Sequence, residues 1–135
     1  TNMRHMNKEF KKQYRRYKKA ERKYKRELIK YIKKNEYSFD WYSIVEVILK
    51  MIKRRLEYFK KGDNVYTCDE SVKHCIDTLE HAYNLGLFAT CDEHFTLDPY
   101  EKHSAEEYFE VIQKENTAYE EFFTYVGKNI RSWWD

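Results

Sequence analysis

The stretch KEFKKQYRRYKKAERKYKRELIKYIKK, residues 8–34, decides how the chain is read. Phe10, Tyr14, Tyr17, Glu21, Tyr24, Leu28 and Tyr31 recur at alternating steps of 4 and 3, with Ala20 beside Glu21. That is the repeat of a helix with one apolar seam. The other faces are Lys and Arg. A seam made mostly of Tyr is weaker than one of Leu or Ile, so the helix is expected to pack on something, either the rest of its own chain or a partner chain.

Outside this stretch the same period continues. Asp40 is an expected N-cap, with Phe39 and Ile44 as a hydrophobic staple, for a helix from Trp41 to about Lys61. Its predicted buried face is Trp41, Ile44, Val45, Ile48, Met51, Ile52, Leu56 and Phe59, and Gly62 is the expected stop. Thr67 and Glu70 predict a capped third helix to about Asn84, burying Val72, Cys75, Ile76, Leu79, Ala82 and Tyr83, with Gly86 ending it. Residues 87–103 hold the one Pro, Pro99, and read as a loop. Ser104 and Glu107 open a fourth helix from Ala105 almost to the end. Its stripe is Tyr108, Val111, Ile112, Tyr119, Phe122, Phe123, Val126, Ile130 and Trp133, and Gly127 is expected to permit close helix contact. The fold class is therefore all-α, a helical bundle with a long basic N-terminal helix. Residues 1–36 form that helix, and residues 37–135 a three-helix body within one domain.

Composition agrees. Only three Gly and one Pro occur in 135 residues, which disfavours a many-turned β protein. Apolar residues make up 41% and charged residues 36%, the latter well above the usual quarter. No run is apolar and long enough for a transmembrane span, so no membrane association is expected. The charged N-terminus lacks an apolar signal region, and three Cys make an odd number; both favour free thiols in a cytoplasmic protein. Residues 4–34 carry fifteen Lys and Arg against three Glu, a net +12, while the rest of the chain, with eleven basic and twenty acidic residues, carries −9. A basic arm and an acidic body can attract each other, or the arm can bind an external polyanion.

Catalytic constellations are weak. Cys68, His74, His81, Cys91 and His94 are candidate metal ligands, but only Cys91 and His94 have ligand spacing, and no second close pair joins them. His74 and Cys75 do not share a helix face, and Ser71 has no elbow around it. Glu106-Glu107 and Glu120-Glu121 point in different directions on a helix and read as a solvated face. The Gly are isolated, so no phosphate loop exists. No enzyme, metal or cofactor is expected. Trp133 and Trp134 either close the core and cover a neighbouring helix, or anchor an oligomer or ligand site.

The segment Phe39-Asp40-Trp41-Tyr42 leads a helix through Ile48, Lys50-Met51, Arg54-Arg55 and Tyr58-Phe59. A capped helix follows with Ile76, Leu79 and Leu85, and the chain closes on Lys128-Asn129-Ile130-Arg131 and Trp133-Trp134-Asp135. This pattern, over residues 39–86 and 119–135, resembles a group of small helical proteins of tailed bacteriophages that often finish in a Trp-Trp-Asp-like tail. The basic N-terminal helix lies outside the resemblance. The group implies no activity, only an accessory protein made in the bacterial cytoplasm. Such proteins act by binding: they block a host protein, shield nucleic acid, or take up a nucleotide immune signal. The expected function is thus a non-enzymatic binder of an anionic ligand or host protein that counters host defence, with nucleic-acid binding and helical self-assembly as alternatives. Arg15, Arg16, Lys19, Arg22, Lys23 and Arg26 are the expected charge contacts, and Tyr17, Tyr24 and Trp134 the expected stacking residues. The seam and the Trp pair also predict a homo-oligomer.

Overall fold

In the computed structural model, which describes residues 7–34, 41–61 and 69–134, Asn7 starts the first helix. Its Oδ1 accepts the Phe10 N–H at 2.7 Å, and its carbonyl accepts the Lys11 N–H at 3.0 Å. This is a side-chain N-cap. Helix α1 then runs unbroken over Lys8–Lys34, 27 residues, or about 40 Å. Glu9 lies in its first turn and Lys33 and Lys34 in its last, the order the helix dipole favours. None of its residues is buried. Phe10 and Tyr17 are exposed, while Tyr14, Glu21, Tyr24, Leu28 and Tyr31 are partly covered.

The chain divides into two units, Thr1–Phe39 and Asp40–Asp135. The second holds α2 (Trp41–Lys60), α3 (Asp69–Ala89), a short 3-10 turn (Asp92–His94) and α4 (Ala105–Trp133). No strand occurs among the described residues, and the fold is an all-α helical bundle. Helix α3 packs against both α2 and α4. Its contacts pair Cys75 with Ser132, His81 with Tyr125 and Gly86 with Phe122, so α3 and α4 are antiparallel. The core is formed by Val45, Leu49, Ile52 and Phe59 of α2, by Cys75, Leu79, Ala82 and Ala89 of α3, and by Ala118, Tyr119, Phe122, Val126 and Trp133 of α4.

The expected Asp40 cap, Phe39 staple, Gly62 stop and Thr67 capping box lie outside the described residues, as do the Trp41 side chain and Cys68. Within the described residues the apolar faces need correction. On α2, Ile44 and Met51 are 61% and 40% exposed, and Leu49 at 7% joins the core instead. The apolar arc of α2 is wider than the strip α3 and α4 can cover. Ile44 and Met51 sit on the uncovered edge and Leu49 on the covered one.

Gly86 does not end α3. The helix passes through it to Ala89, because three helices converge there. A Cβ on Gly86 would lie 2.4 Å from Leu49 Cδ2 and 2.8 Å from Phe122 Cε1. The end of the helix is made by Thr90, whose N–H and Oγ1 donate to the Gly86 carbonyl at 3.0 and 2.8 Å. Gly127, expected to allow close approach, faces open space: a Cβ there meets nothing within 4 Å. Gly86→Ala is therefore expected to destabilise. The Ala preference of about 1 kcal/mol in a helix opposes an overpacking cost of about 1–3 kcal/mol against two buried side chains. In urea melts Leu49→Ala should restore part of the loss in the double variant. An unchanged or raised midpoint for Gly86→Ala would show that the contact is loose.

Helix α4 begins as expected. Ser104 Oγ accepts the Glu107 N–H at 3.2 Å and the Glu107 carboxylate accepts from Ser104 Oγ at 3.4 Å. Glu107 also bonds His103 Nδ1 at 2.8 Å, while His103 Nε2 lies 2.7 Å from the Asp98 carbonyl. The Glu107 contact, then the Asp98 carbonyl, raise the His103 pKa above its usual 6.5. The same His103 contact, then the Ser104 cap, lower that of Glu107 below 4.5. The raised histidine stabilises fully below pH 6.5 and loses its contribution as pH rises through its folded value. The depressed carboxylate stabilises above pH 4.5 and loses its contribution as pH falls through its folded value. The contribution of this pair to stability is thus fullest between about pH 4.5 and 6.5. His103→Gln should remove the part of any alkaline fall in Tm that this pair causes, which the difference between the two Tm–pH profiles will show.

Candidate anion-binding face

Each residue of an α-helix is turned 100° from the last. Applied to the unbroken run of α1, this turn places every Lys and Arg of the helix within about one half of its circumference. Glu9 and Glu27 fall on the border of that half, and Glu21 falls in the aromatic seam behind it. Among the described residues Glu21 carries the ion pairs of α1: Lys18 Nζ at 3.6 Å and Lys25 Nζ at 3.1 Å. The bond from Lys25 lowers its pKa, against a smaller opposing effect of desolvation, so it stays a carboxylate. The three residues form a neutralising cluster at one edge of the cationic half.

Arg15, Arg16, Lys19, Arg22, Lys23 and Arg26 lie beyond that cluster. All six are exposed and make no ion pair among the described residues. Their charge is spread along several turns of one helix, and counterion release grows with the number of phosphates such cations neutralise.

The expected stacking residues are not brought to this face. Tyr17 and Tyr24 lie on the seam, on the other side of the helix from Arg15, Lys19, Arg22 and Arg26, because steps of 7 along a helix return nearly to the same direction. The ring that does border the cations is Tyr14. Lys18 Nζ sits 5.6 Å from its centroid, and Tyr14, Arg15, Lys18, Glu21, Arg22 and Lys25 line an open groove of about 450 Å3. The angle of each residue about the helix, which its number fixes, marks out Tyr14; the spacing of aromatics along the chain does not.

Trp134 belongs to the other unit. It is 42% exposed, 6.1 Å from the Trp133 ring, and has the Arg55 guanidinium 5.8 Å from its centroid. Arg55 also lies over Tyr58 and Phe59, at 4.5 and 5.1 Å, and its Nε donates to the Trp133 carbonyl. A cation at the C-terminus of α4 satisfies an orphan carbonyl and complements the dipole. Trp133 is fully buried, and its Nε1 donates to Thr78 Oγ1 at 2.8 Å. The Trp pair thus divides into one core residue and one partly open ring.

No group of three His, Cys, Asp or Glu that could share a metal ion occurs among the described residues. His94 stacks against Phe88 at 4.6 Å, and His81 meets the edge of Tyr125 at 4.5 Å. Cys75 is buried, donates to the Ser132 carbonyl at 3.3 Å, and has its pKa pushed up by that burial, whereas His74 is exposed. Cys75 is a packing residue, as its place on the apolar stripe suggested. No helix among the described residues is long and apolar enough to cross a membrane. Comparison of the chain with protein-family models, curated proteins and solved structures gives no match.

Proposed function

We propose that this protein binds an extended polyanion, a nucleic-acid backbone, along the cationic face of α1. The observation that supports this is the sorting of α1: all its Lys and Arg on one half, the six central ones exposed and without an ion pair among the described residues, and its paired carboxylate set to one edge. A duplex presents one charge per roughly 1.7 Å of axis, and its major groove admits an α-helix. A rod of about 40 Å with a cation at almost every turn matches that geometry. A single nucleotide asks instead for converging donors and a stacking ring, and Tyr17 and Tyr24 face away from the cations. In a phage-infected cell, the setting the tail motif suggests, such a protein would shield nucleic acid from host defence.

The test is fluorescence anisotropy with labelled duplex DNA, duplex RNA and single strands at several salt concentrations. Log affinity should fall linearly with log salt, with a slope steeper than about −4 for duplex DNA, and with little preference for sequence. Absent binding at low salt, or a slope near zero, rules the reading out.

A further inference from the structure

Helix α4 carries a second apolar stripe that its own unit leaves open. Its core residues, from Ala118 to Trp133, lie on one side. About a quarter turn round the helix lie Phe109, Ile112, Phe123 and Ile130, with Trp134 at the C-cap just past its last turn, all between 42% and 61% exposed. These were expected, in part, to be core: Tyr108, Ile112, Phe123 and Ile130 are all exposed instead. The reason is geometric. Helix α3 ends at Ala89, level with the middle of α4, so no residue of α4 before Ala118 is buried. The stripe then continues along the half that α3 does cover, on the flank that points away from it.

The geometry points to a second copy of this chain as the occupant of that stripe, with the two α4 helices paired antiparallel about a two-fold axis. The stripe is self-complementary. In one antiparallel register Phe109 meets Trp134 of the other copy, Ile112 meets Ile130, and Asn116 meets Gly127. In the same register the flank alongside the stripe sets Glu110 against Arg131 and Gln113 against Lys128. That flank carries Glu106 and Glu110 in the first half of the helix and Lys128 and Arg131 near its end, so head-to-tail pairing joins opposite charges at both ends, against one like-charge contact where Glu120 faces its own copy near the two-fold axis. Parallel pairing would join like charges. Glu110, Lys128 and Arg131 are exposed and make no ion pair among the described residues.

Gly127 is the second observation. Within one chain it leaves open space where a Cβ would sit, and a helix-interior Gly is less stable than Ala. Opposite Asn116 of a second copy it permits close approach of the two backbones. A stripe of five partly exposed side chains per copy makes a small interface, at the low end of specific ones, so the dimer is expected to be reversible. The proposal does not involve α1 and is independent of polyanion binding.

Sedimentation equilibrium on the full chain tests it. The wild type should show a monomer–dimer equilibrium, and Ile112→Glu should make it a monomer. Glu110→Lys and Arg131→Glu should each weaken the dimer by about tenfold or more, and the double variant should recover it, because the swapped charges again face each other. Gly127→Leu should abolish the dimer without lowering helicity by circular dichroism, since the side chain has room in the monomer. A monomer at all concentrations overturns the proposal. So does a dimer indifferent to Ile112→Glu, or charge reversals that fail to rescue each other.

Discussion

Trp133→Ala should lower the stability of the helical body by about 4 kcal/mol, the largest loss of any single truncation among the described residues. Among the described residues Trp133 is the largest fully buried side chain, and it holds the end of α4 in three ways. Its ring fills the core at the level of Cys75 and Thr78. Its Nε1–H donates to Thr78 Oγ1 at 2.8 Å, and that hydroxyl in turn donates to the His74 carbonyl at 2.8 Å. Its own carbonyl accepts from Arg55 on α2. Truncation leaves a cavity and removes the partner of Thr78, while the backbone contact to Arg55 survives only if the last turn stays in place. Trp133→Phe separates these effects. It keeps most of the ring and loses the donor, and should cost about 1–3 kcal/mol. Against a total of 5–15 kcal/mol for a domain of this size, the Ala variant is close to the edge of folding. In urea its midpoint should fall by on the order of 2 M. A fall of under about 0.5 M would mean that the end of α4 is not part of the cooperative core.

What the sequence could and could not convey follows from the same residues. Helix existence, order and the Ser104 cap were legible, because an apolar period and a capping residue are local signals. Which edge of each apolar arc is covered was not. Ile44, Met51, Ile112 and Ile130 have the same period as Val45, Ile52 and Phe122, and the difference lies in where α3 stops and which side it approaches from. The two helical glycines show the same limit. Gly86 and Gly127 are alike in sequence context, yet one fills a three-helix crossing and the other faces open space. On α1 the cations were legible as a dense run, but density along a chain hides direction. Only the unbroken helix separates Tyr14, at the border of the charge, from Tyr17 and Tyr24 behind it.

That separation gives the second large effect. Replacing Arg15, Lys19, Arg22 and Arg26 with Gln should weaken duplex binding on the order of 1,000-fold at 0.15 M salt, and flatten the salt slope by about 3.6. These four lie near the middle of the cationic half, at steps of 4, 3 and 4, and face one ligand together. Each lost phosphate contact removes about 0.9 from the slope, so affinity and slope must change in proportion. Gln keeps helix propensity close to that of Arg and Lys, so the helix itself should persist. The control is Tyr17→Ala with Tyr24→Ala. If the cationic half is the contact, this pair changes the slope little, whereas Tyr14→Ala weakens binding modestly by removing the one ring at its border. Tyr variants that cost more than the four cations would place the ligand on the seam, and the sorting of charge on α1 would then be a solvated surface and not a binding face.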